Sequence, residues 1–412
     1  MNLELFIAKR LYGTRKGARH ISRPAVAIAQ WGVAIGALVM FVSICIIVGF
    51  KNQVKEKAVG FGGHIQIMNG ESGNYGPEPL AIDTTLTNSI RAIKGIRNVM
   101  PYSQKPGVIV AENEYEGILL KGVGSDYDLT FIKENLVSGE IPQLTDTVAS
   151  NSIIISRDIA DRLDCNTGDR INLYFVQEGI KARRMTVAAI YETHLTEFDR
   201  SIAITDIYTV GKLYGWEHGK VGGIEITADN YNNIEEQREA VNDIITARAS
   251  QTGELLYAPT INELYPALLE WLDLLDQTVW LILILVLGIA AFTMVSGILI
   301  LILEKTNLIG IMKAVGAQNL SIKKIFIYYS AFIIGKGLII GNAIGLVLCL
   351  VQQYTGIVSL DPEMYYMDRV PIEFNALLLP MNILMFAVSV ATMVLPAMLI
   401  SRIEPTKAIK FE

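Results

Sequence analysis

The sequence predicts an α-helical membrane protein with four transmembrane helices and one large α/β domain outside the membrane. Three observations predict this fold class. The chain of 412 residues is 51% hydrophobic and only 18% charged, which is more apolar than ordinary soluble proteins. Its apolar residues are concentrated in four long runs. A polar segment of globular composition, residues 51–277, separates the first run from the second.

The four apolar runs are long enough to cross a bilayer, because about 20 helical residues span a hydrocarbon core of roughly 30 Å. The first run exceeds a typical signal-peptide core and has no convincing small-residue cleavage site before Lys51, so it is interpreted as an anchor. The predicted spans are residues 25–50, 278–303, 326–351 and 375–400.

Basic residues in the short connecting segments predict the orientation, because Lys and Arg favour the cytoplasmic side. Residues 1–24 contain six basic residues against one acid, the loop 304–325 contains four lysines, and the tail 401–412 adds three more basic residues. The loop 352–374 has one arginine against four acids. Both termini and the 304–325 loop are therefore predicted to be cytoplasmic, with the large domain and the 352–374 loop outside.

The extramembrane segment has the pattern of a split α/β sandwich with a β-rich insert at about 125–218. Residues 260–277 have helical spacing and predict a stalk leading into the second span, and residues 51–57 continue the first span outward. The sandwich is predicted from strands His64–Met68, Gly107–Ala111, Gly117–Val123, Gly223–Thr227 and Leu255–Ala258, and from helices Leu86–Lys94 and Asn233–Ala249. The insert is predicted from strands Ser152–Ile155, Arg170–Phe175 and Met185–Ile190.

The loop between the second and third spans predicts a short amphipathic helix. Helical spacing puts Leu308, Ile311, Met312 and Val315 on one face. Gly316 is a candidate helix stop in the left-handed conformation. Two interpretations stay open: an apolar face offered to a protein partner, or an interfacial helix resting on lipid head groups.

The sequence contains no recognisable catalytic or metal-binding constellation. Its four histidines are scattered, and it has neither an HExxH, a GxSxG nor a GxxxxGK[ST] pattern. Cys45, Cys165 and Cys349 lack zinc or disulfide spacing and are expected to be small core residues. The charge cluster from Glu197 to Arg200 is interpreted as a solvated surface turn rather than a binding site. The chain is therefore predicted to be non-catalytic, with no metal and no cofactor of its own, and nothing indicates a nucleic-acid partner.

Small residues and one charge are informative within the spans. Glycines at four-residue spacing let helix backbones approach closely. They occur at Gly32, Gly36, Gly337, Gly341 and Gly345. Lys336 lies near the middle of the third span, where a charge costs roughly 2.5–3.5 kcal/mol. Its side chain either extends to the interface or faces a cavity or partner.

The first and second spans are also candidates for an apolar lateral opening, which we call the gate. Packing against lipid is the alternative for each residue of this set. The candidate gate residues are Leu38, Val39, Val42, Ile46, Ile284, Ala291 and Met294.

Several motifs in the right order resemble the LolC/LolE family of lipoprotein-releasing ABC-transporter permeases, within the wider FtsX/MacB-type superfamily. The superfamily motifs are Glu304–Ala317 and the closing stretch Ser401–Ile409. The LolC/LolE branch is indicated by Phe6–Arg10, Gly49-Phe50, Gly62–Ile65 and Leu360–Ile372, and the outer domain fits through Glu116–Ile118, Gly122-Val123, Gly168-Asp169 and Glu197–Arg200. The chain departs from the family at Gln30-Trp31 and Ile47-Val48, which affects the details of the gate.

The resemblance implies a MacB-like periplasmic core domain, an FtsX-like permease domain at 254–402, and a bacterial inner-membrane location. It implies four partners: a separate cytoplasmic LolD-like ATPase that binds ATP and Mg, a second permease chain, a lipoprotein substrate, and a periplasmic LolA-like carrier. The coupling helix would fit a groove of the ATPase. Its implied residues are Glu304, Lys305, Leu308, Ile309, Gly310, Ile311, Met312, Lys313, Val315 and Gly316.

Two other functions are weighed against lipoprotein release. A MacB-like exporter of periplasmic substrates would be expected to carry its ATPase on the same chain. An FtsX-like transmitter that activates a cell-wall hydrolase would have a smaller outer domain and lack the 360–372 pattern. The resemblance leaves C-type and E-type subunits undistinguished, because the loop that holds the carrier is not located in the sequence.

Overall fold

The computed structural model describes residues 3–13, 22–70, 77–111, 114–176 and 179–402. Two compact units are present. The membrane unit comprises the chain up to Lys51, residues 272–359, and the chain from Arg369 onward. The extramembrane unit comprises residues 52–271 and 360–368. The predicted basic residues within 14–21 and the tail from 403, including Lys407 and Lys410, lie outside the described residues.

The α-helices and strands are numbered in chain order. The helices are α1 Leu3–Gly13, α2 Ser22–Gly62, α3 Thr84–Arg91, α4 Thr130–Glu134, α5 Arg157–Arg162, α6 Thr196–Asp199, α7 Ile207–Tyr214, α8 Ile234–Thr252, α9 Ile261–Leu264, α10 Pro266–Glu304, α11 Thr306–Ala314, α12 Asn319–Thr355, α13 Pro362–Tyr365, α14 Leu378–Thr392 and α15 Val394–Met398. The strands are β1 Ile65–Asn69, β2 Leu80–Ala81, β3 Ile96–Ala111, β4 Glu114–Val123, β5 Leu136–Gly139, β6 Ser152–Ser156, β7 Arg170–Val176, β8 Ile180–Tyr191, β9 Ile202–Asp206, β10 Lys220–Val221, β11 Gly223–Ala228 and β12 Leu256–Tyr257.

Four helical segments of the described chain are long and apolar enough to cross a membrane, as the sequence predicts. They are Val26–Gly62, Pro266–Glu304, Asn319–Thr355 and Leu378–Ser401. The segment in the fourth predicted span is interrupted between α14 and α15 at Met393. Pro396 explains this interruption, because proline lacks the N–H that would bond to the carbonyl four residues earlier and its ring crowds that carbonyl.

The predicted stalk at 260–277 is not one helix. Tyr265, with φ −125° and ψ 59°, separates α9 from α10. The following residue is Pro266, and proline disfavours helical backbone at the residue before it. Thr260 is the N-cap residue of α9, and its N–H donates to the Glu263 carboxylate at 3.1 Å. The stalk therefore contains a defined corner before the second span.

Side chains from the four spans form the core of the membrane unit. Val33 of α2, Met294 of α10 and Ile333 of α12 are fully buried, and Met385 of α14 is 2% exposed. Because no hydrophobic effect draws apolar helices together inside lipid, this core depends on close van der Waals packing.

The extramembrane unit is an α/β domain, as predicted, but its strands form one mixed sheet rather than a sandwich with a separate insert. The ten-stranded sheet has the order β12-β1-β11-β3-β4-β9-β6-β8-β5, and β7 pairs with both β3 and β8. Pairs β4–β9 and β6–β8 are parallel, and the other pairs are antiparallel. The predicted strands are present, but β3 begins at Ile96 rather than at Gly107.

Six of these strands close into a small barrel. The ring runs β3-β4-β9-β6-β8-β7 and returns to β3, where Val108 pairs with Tyr174. Its interior contains Ile109, Leu120, Phe175 and Val187, each at most 1% exposed. The insert thus completes its core with β3 and β4, which precede its predicted start at about residue 125.

The long strand β3 belongs to both parts of the sheet. Its first half pairs with β11 as far as Tyr102, and its second half pairs with β7 from Val108. Pro106 lies between these two partners, where neither β11 nor β7 pairs with β3. The N–H that proline lacks is therefore not needed for a hydrogen bond to a neighbouring strand on that side. A Cβ on Gly107 would lie 2.5 Å from the ring of Phe175, so only glycine permits this approach.

Candidate functional site

Helix α11 is the short amphipathic helix that the sequence predicts. Its C-terminus is closed by Gly316, whose φ of +97° is readily adopted only by glycine. The Gly316 N–H donates to the Lys313 carbonyl, and the Ala317 N–H donates to the Met312 carbonyl. These two bonds form a Schellman motif, which satisfies carbonyls that a helix end would otherwise leave unpaired.

Only part of the predicted apolar face of α11 is buried within this chain. Ile309 is fully buried and Met312 packs against the membrane-unit core. Ile311 is 47% exposed and Val315 is 84% exposed, whereas Leu308 is half-buried. Helical geometry puts Leu308, Ile311 and Val315 on one side, so α11 has an inner face toward its own chain and an outer apolar face.

Charged residues connect α11 to neighbouring segments. The Lys313 Nζ donates to the carbonyl of Ile400, at the end of the fourth span, at 2.8 Å. Lys305 lies 3.5 Å from the carboxylate of Glu304. Gly310 is buried. The implied coupling residues are therefore divided between a scaffold that fixes the helix and an outer surface.

The glycines of the spans lie where helices approach closely. A Cβ on Gly341 would lie 2.2 Å from the Ala34 carbonyl oxygen, and one on Gly337 would lie 2.9 Å from the Gln30 carbonyl oxygen. A Cβ on Gly345 would meet the ring of Phe41 at 3.0 Å. All three contacts join α12 to α2.

The first and second spans are also in direct contact. A Cβ on Gly32 would lie 3.0 Å from Thr293, and one on Gly36 would lie 3.2 Å from the Ala290 Cβ. An ion pair between Lys51 and Asp276 links the same two helices. Within one chain, α2 and α10 therefore leave no lateral opening between them at these positions.

The candidate gate residues consequently differ in exposure. Met294 is fully buried and Ala291 is 9% exposed, so both pack inside this chain. Ile284 is 66% exposed. The four residues of the first span, Leu38, Val39, Val42 and Ile46, are half-buried.

A buried polar network that the sequence does not reveal lies in the extramembrane unit. The Lys121 Nζ donates to both carboxylate oxygens of Glu225, at 2.7 and 2.9 Å, and to the carbonyl of Phe61 near the end of α2. Tyr127 donates its hydroxyl hydrogen to Glu225. Burial lowers the pKa of Lys121, and the Glu225 charge opposes that shift. The network fixes the C-terminal end of α2 to strands β4 and β11.

The interpretation of residues 197–200 as a solvated turn is wrong for Asp199. Asp199 is 3% exposed, and it accepts hydrogen bonds from the Thr193 N–H at 3.0 Å and the Thr193 hydroxyl at 2.7 Å. Burial raises the pKa of Asp199 to about 6, against the opposing effect of the Thr193 hydrogen bonds. Arg200, by contrast, lies at the surface 3.6 Å from Asp158.

The hairpin formed by β7 and β8 carries a second feature that the sequence pattern does not reveal. Val176 and Ile180, on either side of its turn, are 78% and 76% exposed. Arg183 and Arg184 follow on β8 and are also exposed. These exposed apolar side chains with adjacent cations are suited to contact with an acidic or amphipathic protein surface. The run Ile180-Lys181-Ala182-Arg183-Arg184, an apolar residue followed closely by three cations, is the sequence feature that could have indicated this surface.

The cysteine prediction is confirmed, because Cys45, Cys165 and Cys349 are buried and free. Within the described ranges, no three or more His, Cys, Asp or Glu side chains are grouped so as to hold a metal ion.

Comparison with known proteins gives matches to both units of the chain. The family model of the MacB-like periplasmic core domain matches residues 27–244, and that of the FtsX-like permease C-terminal region matches residues 280–405. The lipoprotein-releasing system transmembrane protein LolC of Neisseria meningitidis serogroup B is 22% identical over 92% of each chain. LolE of Haemophilus influenzae is 20% identical over 99% of each chain. LolC of Xylella fastidiosa is 19% identical over 92% of each chain.

Proposed function

Because this chain belongs to the permease family defined by a MacB-like periplasmic core domain, and within it to the LolC/LolE type, we propose that it is the membrane subunit of a lipoprotein-releasing ABC transporter. It extracts lipoproteins from the outer leaflet of the inner membrane and passes them to a periplasmic carrier. ATP and Mg bind to a separate ATPase subunit, and no bond is made or broken by this chain.

The observation that carries this proposal is the extent of the similarity, which includes both the membrane unit and the extramembrane unit. Capture of substrate tests it before any nucleotide is added. The full chain, assembled with its ATPase, should retain a triacylated lipoprotein through purification. The same polypeptide made without its acyl chains should dissociate from the complex during purification. Equal retention of both forms would contradict recognition of a lipoprotein.

The outer face of α11 is the proposed contact with the ATPase. The exposure of Ile311 and Val315 supports this assignment, because exposed apolar side chains beside a rigid inner face form a ready docking surface. The lysine distribution supports a cytoplasmic location for α11 and for both termini. Closure of two ATPase subunits would then move α11 together with the spans to which it is fixed.

The substitution Ile311→Asp tests this contact without removing a core side chain. We expect weaker binding of the ATPase and loss of lipoprotein-stimulated ATP hydrolysis, because a charge would be buried against an apolar groove. Asn307→Asp is the matched control, since Asn307 is exposed in the first turn of α11 and gains the same charge where a helix N-terminus tolerates it. Unchanged coupling in Ile311→Asp would place the ATPase contact elsewhere.

A pair of permease chains, identical or not, would form the cavity for the acyl chains. The direct packing of α2 on α10 supports an opening between chains rather than within one. The gate is then lined by the half-buried residues of the first span and by the exposed Ile284 of the second. The first-span residues are Leu38, Val39, Val42 and Ile46. Ala291 and Met294 are buried behind this surface and support it by packing. A photo-crosslinker at Val39 or Ile284 should capture the lipoprotein, and one at the exposed Ile289 of α10 should not.

The β7–β8 hairpin is the proposed surface for the periplasmic carrier, because Val176 and Ile180 are exposed together with its two arginines. Replacing Arg183 and Arg184 by alanine should lower transfer to the carrier and leave lipoprotein capture and ATP hydrolysis unchanged. A loss of capture in this variant would mean that the hairpin contacts the substrate instead.

A further inference from the structure

Lys336 lies in a groove of the membrane unit that no part of the proposed transport cycle uses. The groove has a volume of about 600 Å³ and is formed by α1, α12 and α14. Its walls are largely aromatic and aliphatic and include Leu5, Tyr12, Tyr328, Phe332, Ile339 and Phe386. Among the described lining residues, Lys336 alone carries a charge.

Lys336 has no ion-pair or hydrogen-bond partner within the described part of the chain, and its side chain is exposed to the groove. A cation at this depth costs roughly 2.5–3.5 kcal/mol unless it reaches water or an anion. The structure therefore leaves one unneutralised positive charge facing the lipid through an apolar opening.

The direction of the side chain indicates which leaflet would supply an anion. Lysine in a helix leans toward the helix N-terminus, which for α12 is the end that carries Lys323 and Lys324. Tyr12 of α1 covers that side, stacked on Phe332 with ring centroids 5.9 Å apart. Tyr12 and Tyr328 are the hydroxyl-bearing side chains of the groove, and Tyr328 lies about two helical turns nearer the basic end of α12 than Lys336.

We propose that this groove binds one anionic phospholipid from the leaflet at the N-terminal end of α12. The phosphate would neutralise Lys336 with help from Tyr12 and Tyr328, and an acyl chain would lie on Ile339 and Phe386. A volume of about 600 Å³ is within the usual range for ligand sites. Lipid is favoured over an acidic side chain of a second chain, because a lipid anion is already at the membrane whereas a carboxylate in a span adds its own insertion cost.

The site is independent of lipoprotein transport, because it does not include the candidate gate residues and lies away from the outer face of α11. Bound lipid would hold α1 against α12, where Tyr12 also meets Tyr329 with ring centroids 6.1 Å apart. Occupancy of the groove therefore gives the membrane unit a dependence on lipid charge.

Native mass spectrometry of the full chain tests the proposal. The protein is released from nanodiscs that contain equal amounts of phosphatidylglycerol and phosphatidylcholine with identical acyl chains. The unsubstituted protein should retain phosphatidylglycerol selectively, and Lys336→Met should reduce that selectivity about fivefold or more, since a cation near anionic lipid contributes about 1 kcal/mol. Lys336→Arg should keep the selectivity because it keeps the charge.

Lys324→Met is the matched control, because it removes an exposed lysine from the same helix without changing the groove. Its selectivity should stay close to that of the unsubstituted protein. Selective retention by Lys336→Met equal to the unsubstituted protein would overturn the proposal. So would dissociation of an oligomer in Lys336→Met without a change in lipid selectivity, since that result would identify an acid of a second chain as the partner.

Discussion

The buried pair Lys121–Glu225 gives the sharpest prediction about the extramembrane unit. The Lys121 side chain is 3% exposed and the Glu225 side chain is fully buried. Replacing Lys121 with methionine keeps most of the side-chain volume but leaves a carboxylate buried without its cation. Breaking a buried pair in this way costs about 3–5 kcal/mol. The substitution also removes the hydrogen bond that the Lys121 Nζ donates to the carbonyl oxygen of Phe61, near the end of α2.

Hydrogen exchange of the full-length protein in nanodiscs measures this cost locally. Peptides that cover β4 and β11 should exchange on the order of a hundred- to several-thousand-fold faster in Lys121→Met, because opening becomes easier by that free energy. The double variant Lys121→Met/Glu225→Met should recover most of the protection, since replacing both partners with apolar side chains of similar volume is often neutral.

The partly exposed pair Arg162–Glu116, with an N–O distance of 3.1 Å and side chains 40% and 25% exposed, provides the control. Glu116→Gln should change protection by less than tenfold, because exposed ion pairs contribute about 0.2–1 kcal/mol. If Lys121→Met behaved like Glu116→Gln, the buried Lys121–Glu225 pair would not anchor the C-terminal end of α2.

Three further outcomes follow from the geometry. Gly341→Leu should lower the thermal stability of the detergent-solubilised protein by at least the 1–3 kcal/mol typical of overpacking, whereas Gly288→Leu should change little because a Cβ there meets nothing within 4 Å; equal effects would contradict tight α2–α12 packing. Gly316→Ala should raise hydrogen exchange in α11 about fivefold, because φ +97° costs a non-glycine residue about 1 kcal/mol; unchanged exchange would mean that the helix end does not need that conformation. Since the pKa of Asp199 is raised from its ordinary value of 3.8 to about 6, the contribution of protonated Asp199 to the free energy of unfolding is fully present below about pH 4 and is lost as pH rises through about 6, by on the order of 3 kcal/mol. Chemical unfolding across this pH range should show a decline that Asp199→Asn removes, and an identical decline in both proteins would show that another group titrates.

Local sequence signals are sufficient to locate the spans, the glycine contacts between helices and the end of α11. Each span is longer and more apolar than any buried soluble helix requires, and the spacing of Gly337, Gly341 and Gly345 is itself the pattern of a close helix contact. Gly316 could be identified as the end of α11 because glycine alone readily adopts positive φ. These features depend on residues near one another in the sequence.

The closed barrel could not be predicted, because it depends on pairing between distant strands. The contact of β3 with β7 joins residues some 60 positions apart, and Pro101 and Pro106 conceal the first half of β3 as a strand. The burial of Asp199 cannot be predicted for a related reason. Its neighbours in sequence are charged, but its burial is set by Thr193 and the fold around it.

Exposure on α11 was likewise hidden from the sequence. Periodicity grouped Leu308, Ile311, Met312 and Val315 on one face, but only tertiary packing shows that Met312 turns inward while Ile311 and Val315 stay exposed. This division matters for experiment, because a charge at Met312 would disturb the core as well as any contact with a partner.

We propose that this chain uses ATP hydrolysis in a partner subunit to release lipoproteins from the membrane. The most direct measurement reconstitutes the full chain and its ATPase in proteoliposomes with a triacylated lipoprotein, and follows transfer to a soluble carrier. We expect ATP-dependent transfer by the unsubstituted protein and by Asn307→Asp, and little transfer by Ile311→Asp. A tight complex with the ATPase that neither captures nor releases lipoprotein would contradict the claim and favour a transmembrane signal transmitter.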